Sequence, residues 1–366
     1  MNILEEEIIK HKKEIHSDAY PMSIGEAVSL YQNGELEIHP EFQRVFRWSN
    51  EKKSKFIESI LLGIPIPSFF VSQRDDGVWD LVDGLQRFST ILAFMGELKD
   101  ENGEQLPALE LSKGDYLESL AGVRWDDEEK FTKPMKLSFR REKIDFKIIK
   151  KESTIDTKYE LFKRINTGGA PLTDQEVRNC ILLMINREFY LVLDALSKNS
   201  HFKNSISISD DKILEQYHME LVVRFFVFFI YIKADDQNEK ISNLTNFLDD
   251  KIYELARSRS DFTYLQTLFE NTFRLIDRVM GSDAFRKYYP KEQRHKGGFS
   301  IALFEAISIG VAKNIDSFSS DDRLREAIEN FSENEIFSQA SGAGVRASTR
   351  ILQTIPYAIQ YFHEYR

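Results

Sequence analysis

Cysteine is nearly missing from this chain. Cys180 is the single thiol among 366 residues, which excludes an intramolecular disulfide framework and any cysteine-based zinc site. One lone cysteine suits a reducing compartment. A secretory leader is not apparent either, because Met1-Asn2-Ile3-Leu4 runs straight into three glutamates instead of going from basic to apolar. The most apolar run, Leu221 to Ile232, is broken by Arg224 and is too short to cross a bilayer as a helix. It predicts a buried core helix, and the protein is expected to be cytosolic with no membrane partner. Positive charge is not in excess: the net charge is −10, which argues against a general, sequence-blind DNA coater. A local basic groove or a bound nucleotide remains compatible with that balance. The chain has no Walker-type lysine loop, no H-E-x-x-H and no G-x-S-x-G. Its histidines, at 11, 16, 39, 201, 218, 295 and 363, show no metal-ligand spacing. Only His39 stands beside a motif of interest.

Apolar and aromatic residues are plentiful. Hydrophobic residues make up 42% of the chain, with 28 Phe and 14 Tyr, enough for a sizeable core and against disorder. Ser23 and Glu26 have capping-box spacing for a short helix that ends at Asn33-Gly34. Leu36 to Ile38 alternates like a short strand. Ser49 or Asn50 caps a helix whose Phe56, Ile57, Ile60 and Leu61 share one face, closed by Gly63. Ile64 to Ser72 and Val78 to Val82 form a hairpin around Asp75-Asp76-Gly77, and Gln86 to Met95 is a helix ended by Gly96. Residues 97 to 135 are a loop-rich insertion, and Lys136 to Ile149 alternates as one or two strands. Residues 1 to about 20 are expected as a helix or a loose arm. Beyond Thr157 the pattern is helical, with a capping box at Thr173 and Glu176. The fold class is α+β: a mixed domain over residues 1–170, then an all-α domain over 171–366.

Four segments carry candidate chemistry. In Leu81 to Thr90 a strand ends at Asp83, Gly84 turns the chain, and a helix begins. Unpaired amides and the helix dipole favour an anion there, Arg87 could clamp phosphate oxygens, Gln86 could orient a water or base, and Asp83 could activate water or hold a metal. The same residues also suit a structural arrangement, with Asp83 capping the helix and pairing with Arg87 at the i,i+4 spacing. In Pro40 to Trp48, Arg44 and Arg47 alternate with rings that could stack on a base, or that anchor the segment in the core. In Leu161 to Gly169 adjacent glycines after Lys163 and Arg164 could form an anion nest or a plain helix end. Arg286, Lys287, Lys291, Arg294 and Lys296 form a basic, tyrosine-bearing loop that is either a nucleic-acid contact or a solvated surface.

Together these segments resemble the DUF262 family, the N-terminal domain of GmrSD-type restriction enzymes. The family's I-x-P-x-x-Q-R-x-x-x-W, S-I-L-x-G-x-P-I-P, D-G-x-Q-R-x-x-T and F-x-R-x-N-T-G-G-x-x-L-x-x-Q-E motifs correspond to Ile38 to Trp48, Ser59 to Pro67, Asp83 to Thr90 and Phe162 to Glu176. The resemblance implies a ParB/sulfiredoxin-like N-terminal domain with a small mixed sheet, whose D-G-x-Q-R loop binds and hydrolyses a nucleotide, with magnesium accompanying the NTP. It implies functional roles for Asp83, Gly84, Gln86 and Arg87, with Gln43 and Arg44 facing them and Arg164, Asn166 and Thr167 completing the pocket. Leu85 departs from the family, which often has Gln there. No His-Asn-His arrangement follows residue 200, so DNA cutting would come from the N-terminal pocket or from a separate nuclease subunit. A DNA-binding or DNA-cleaving restriction component without NTPase activity, and a non-catalytic sensor or partner-binding module, are the alternatives.

Overall fold

The computed structural model describes residues 2, 4–5, 17–38, 48–100, 102–153, 157, 173–233, 241–258, 260–318, 320–342 and 344–365. The chain divides into two compact units, Met1–Pro171 and Leu172–Arg366.

The first unit contains, in order, β1 (Ser17–Ser23), α1 (Ile24–Gln32), β2 (Leu36–Glu37), α2 (Asn50–Leu61), β3 (Phe69–Gln73), β4 (Trp79–Asp83), α3 (Leu85–Met95), α4 (Lys133–Arg141) and β5 (Lys143–Ile149). The strands make one mixed sheet in the order β1-β5-β3-β4-β2. The two outer strands pair differently: β1 is antiparallel to β5, and β2 is parallel to β4. β5 alternates exposed and buried positions, so Ile144, Phe146 and Ile148 face inward, as the period of two requires. Phe146 stacks on Phe69 at 5.2 Å, and Phe88 of α3 meets both rings edge-on. This aromatic contact seats α3 on the sheet, each fully buried ring contributing about 1.5–3 kcal/mol.

α2 carries two stripes. Phe56, Ile57 and Ile60 enter the core, while Asn50, Ser54 and Glu58, spaced by four, hold the insertion over residues 97–132. Asn50 donates to the Glu110 carbonyl and the Ser112 hydroxyl, and Ser54 accepts the Ser112 amide at 2.8 Å. Glu58, buried, accepts the amides of Asp115, Tyr116 and Leu117 at 3.1, 2.8 and 2.6 Å.

Three local expectations are corrected here. Lys136–Arg141 is helical instead of extended, since Pro134 in the first turn lacks an N–H that the helix would leave unpaired anyway. Ser17–Ser23 is a strand, because seven residues find partners on β5. The strand after the two prolines starts only at Phe69, as Pro65 and Pro67 have no amide for a ladder. Ser23 caps α1 by accepting the Glu26 amide, whereas the Glu26 carboxylate accepts the Tyr20 hydroxyl at 3.0 Å.

The second unit runs through α5 (Asp174–Ile185), α6 (Arg187–Ser197), α7 (Ser200–Ile206), α8 (Asp210–Leu214), α9 (Tyr217–Tyr231), α10 (Leu244–Arg257), α11 (Thr263–Met280), β6 (Lys287–Tyr289), β7 (Arg294–Lys296), α12 (Ile301–Lys313), α13 (Asp321–Phe331), α14 (Glu335–Ala340) and α15 (Ala347–Glu364). It is mostly helical, but the short hairpin β6–β7 departs from the expected all-α composition. The capping box opening α5 is complete: Thr173 and Glu176 each bond the other's backbone amide. α9 is the buried helix expected from the apolar run. Its arginine, Arg224, is neutralised by Glu220 one turn earlier on the same helix and by Glu305, which is fully buried and also holds Arg350 at 2.7 Å. No helix among the described residues is long and apolar enough to cross a membrane.

Candidate functional site

The junction of β4 and α3 forms as its sequence dictates. Asp83 ends the strand, and Gly84 turns the chain at φ 98°, a left-handed conformation that side chains disfavour. Leu85, Gln86 and Arg87 form the first helical turn, and no side chain caps it. A glycine N-cap has no side chain to offer the first amides of α3, which is the electrostatic setting for an anion.

The side chains around this turn are closely tied. Arg87 Nη2 donates to Asp83 Oδ2 at 2.9 Å and to the Ser68 carbonyl at 3.3 Å; Nη1 donates to the carbonyls of Pro67 and Ser68. The guanidinium lies over the Phe69 ring, 4.9 Å from its centre. Burial pushes the Asp83 carboxyl above its ordinary range, and the attraction of Arg87 only partly offsets this. Burial likewise lowers Arg87, against the pull of Asp83. The Asp83 side chain keeps 28% of its surface exposed and Arg87 12%, so the carboxylate is the more accessible of the pair.

Gln86 joins a second motif to this turn. Its side-chain oxygen accepts the Trp48 amide at 3.3 Å, which brings the end of the Q-R-x-x-x-W segment beside D-G-x-Q-R. Trp48 itself packs edge-on against Phe56, with Lys52 over its ring. Thr90, fully buried, donates to the Gln86 carbonyl at 2.6 Å.

Residues 24–183 match the GmrSD restriction endonuclease, N-terminal domain, family. The resemblance drawn from the four motifs is borne out over this stretch, which runs from the first residue of α1 into α5. A comparison with the curated proteins found no match. Within the GmrSD-type segment the structure brings together Asp83, Gly84, Gln86 and Arg87. Gln43, Arg44, Arg164, Asn166, Thr167 and His39 lie outside the described residues.

Three participants were missed from sequence. The Pro67 and Ser68 carbonyls take the Arg87 donors, and Phe69 fills the space that glycine leaves at 84, where a Cβ would stand 2.5 Å from its ring. The bareness of Gly84 thus admits a phenyl ring as well as the turn. The only signal was the placement of Phe69 two residues after the P-I-P motif.

The basic loop of the second unit is the hairpin β6–β7. Arg286 pairs with Asp283 at 2.6 Å, Lys287 with Glu333 at 3.6 Å, and Arg294 and Lys296 both with Glu292. Lys287 and Lys296 both lie over the Tyr289 ring, and Lys291 is exposed. Acids thus offset most of the charge that a phosphate backbone would need. Among the described residues no group of three His, Cys, Asp or Glu gathers to hold a metal ion.

Proposed function

We propose that the Asp83–Arg87 junction belongs to a ParB-like pocket that binds and hydrolyses a nucleoside triphosphate. In this reading the protein is a restriction-related defence component in which nucleotide turnover controls action on DNA. The observation that carries it is the Gln86–Trp48 hydrogen bond, which draws two separate family motifs to one uncapped helix start. The family match over residues 24–183 adds to it.

The amides of the first turn of α3 would receive phosphate oxygens, with Gln43, Arg44, Arg164, Asn166 and Thr167 as further contacts. Asp83, whose carboxyl burial pushes above its ordinary range, is the group suited to accept the proton of the attacking water. The water oxygen bonds to the terminal phosphorus, and its proton passes to the Asp83 carboxylate. The bond to the bridging oxygen breaks, and its electron pair leaves with the nucleoside diphosphate. Gln86 would orient that water. Magnesium would arrive on the nucleotide and lend charge to the phosphates. Positioning and charge stabilisation are what such a transfer requires.

The test is thermal melting of the full chain with each of the four NTPs and magnesium, followed by phosphate release. A rise in melting temperature with at least one nucleotide is expected, since a ligand that binds only the folded state stabilises it. Unchanged melting with all four, and no phosphate released, would remove the reading.

A further inference from the structure

The sequence casts Arg87 as a phosphate clamp, yet the donors on its two terminal nitrogens are spent inside the protein. The two terminal nitrogens of a guanidinium carry four hydrogens, and here they make four contacts: Pro67 and Ser68 carbonyls from Nη1, Ser68 carbonyl and Asp83 carboxylate from Nη2. One face of the group is covered by Phe69. A Cβ at residue 84 would stand 3.2 Å from Nη2 and closer still to the Phe69 ring, so glycine is the residue that lets this clasp close over the turn. A bidentate grip on phosphate needs two parallel N–H groups on one edge. Presenting them would strand the Asp83 carboxylate and two backbone carbonyls without their donors, a costly exchange in a partly buried place.

Resting on the nucleotide reading above, we propose that Arg87 is a positioning residue that never touches the phosphates. It ties the Pro67–Ser68 segment to the end of β4 and aims Asp83 at the reacting end of the nucleotide. Asp83 meets the attacking water, and the amides of α3 meet the phosphates.

Binding and turnover separate the two roles. Fluorescent, non-hydrolysable analogues of the four triphosphates, with magnesium, give Kd; the natural triphosphates give phosphate release. The full-length protein is compared with Arg87→Gln, Arg87→Lys and Asp83→Asn. A positioning role predicts that Arg87→Gln binds within about threefold of the parent while its kcat falls about 100-fold. Asp83→Asn shows the same split, and Arg87→Lys recovers part of the kcat. If the parent binds and Arg87→Gln loses about tenfold or more in affinity, Arg87 is a phosphate ligand and the proposal is overturned. Unchanged kcat in Arg87→Gln overturns it as well. Should Arg87→Gln lack a cooperative melt, Arg87→Lys decides by the same affinity criterion. A parent protein that binds none of the four analogues refutes the nucleotide reading itself, an outcome visible without any variant.

Discussion

The Phe69 ring occupies the space directly against Gly84, 2.5 Å from where a Cβ at that residue would stand. The glycine also holds φ at 98°. Two penalties therefore fall on Gly84→Ala: the left-handed backbone, about 1–2 kcal/mol, and overpacking against a buried ring, about 1–3 kcal/mol. The variant should lose at least about 2 kcal/mol in urea unfolding. A loss under about 0.5 kcal/mol would mean that the turn adapts freely.

Glu58 should make the first unit sensitive to acid. Burial alone would raise its carboxyl, but the amides of Leu117, Tyr116 and Asp115 together hold it below the ordinary range. A group with a lowered folded pKa stabilises above its unfolded value, near pH 4.3, and loses that contribution as pH falls through the folded one. Glu58→Gln should therefore cost about 1.5–3 kcal/mol at pH 7. The gap between parent and variant should narrow on acidification below about pH 4.3. A gap independent of pH would show that the charge is immaterial.

The buried pair in the second unit makes a sharper prediction about packing. Arg178, 1% exposed, donates to Asp249 at 2.7 Å and also to Gln175. Asp249→Ala leaves a buried guanidinium without its carboxylate and should cost about 3–5 kcal/mol. Replacing both residues together, as Arg178→Met with Asp249→Leu, should cost clearly less, because no unpaired charge remains. Denaturant titration of the three variants decides this. Equal losses in single and double variants would contradict it.

The local punctuation of the fold was readable; its long-range contacts were not. Ser49 and Gly63 bracket α2, Asp75-Asp76-Gly77 turns the β3–β4 hairpin, and Thr173 with Glu176 opens α5, each from residues a few positions apart. The strand β1 escaped notice because Ser17 to Ser23 carries no alternating apolar signal, and its pairing with β5 lies more than a hundred residues away. α4 escaped because Ile144 to Ile149 alternates so clearly that the strand signal was extended backwards over Lys136–Arg141. At the site, Gly84 announced the turn and Arg87 its ion pair with Asp83. The Pro67 and Ser68 carbonyls gave no warning, since backbone acceptors look alike at every residue. By composition alone the tyrosine-bearing basic loop suits a nucleic-acid contact or a solvated surface. Glu292 lies inside it and Asp283 three residues before Arg286, but Glu333 reaches it only through the fold.

The most direct measurement on the junction is phosphate release from each of the four NTPs with magnesium, by the parent chain and by Asp83→Asn. The parent should hydrolyse at least one nucleotide, and removal of the general base should slow this by about 100-fold or more, with the variant melting cooperatively. A folded parent that releases no phosphate from any of the four, or an Asp83→Asn variant as fast as the parent, would contradict the assignment.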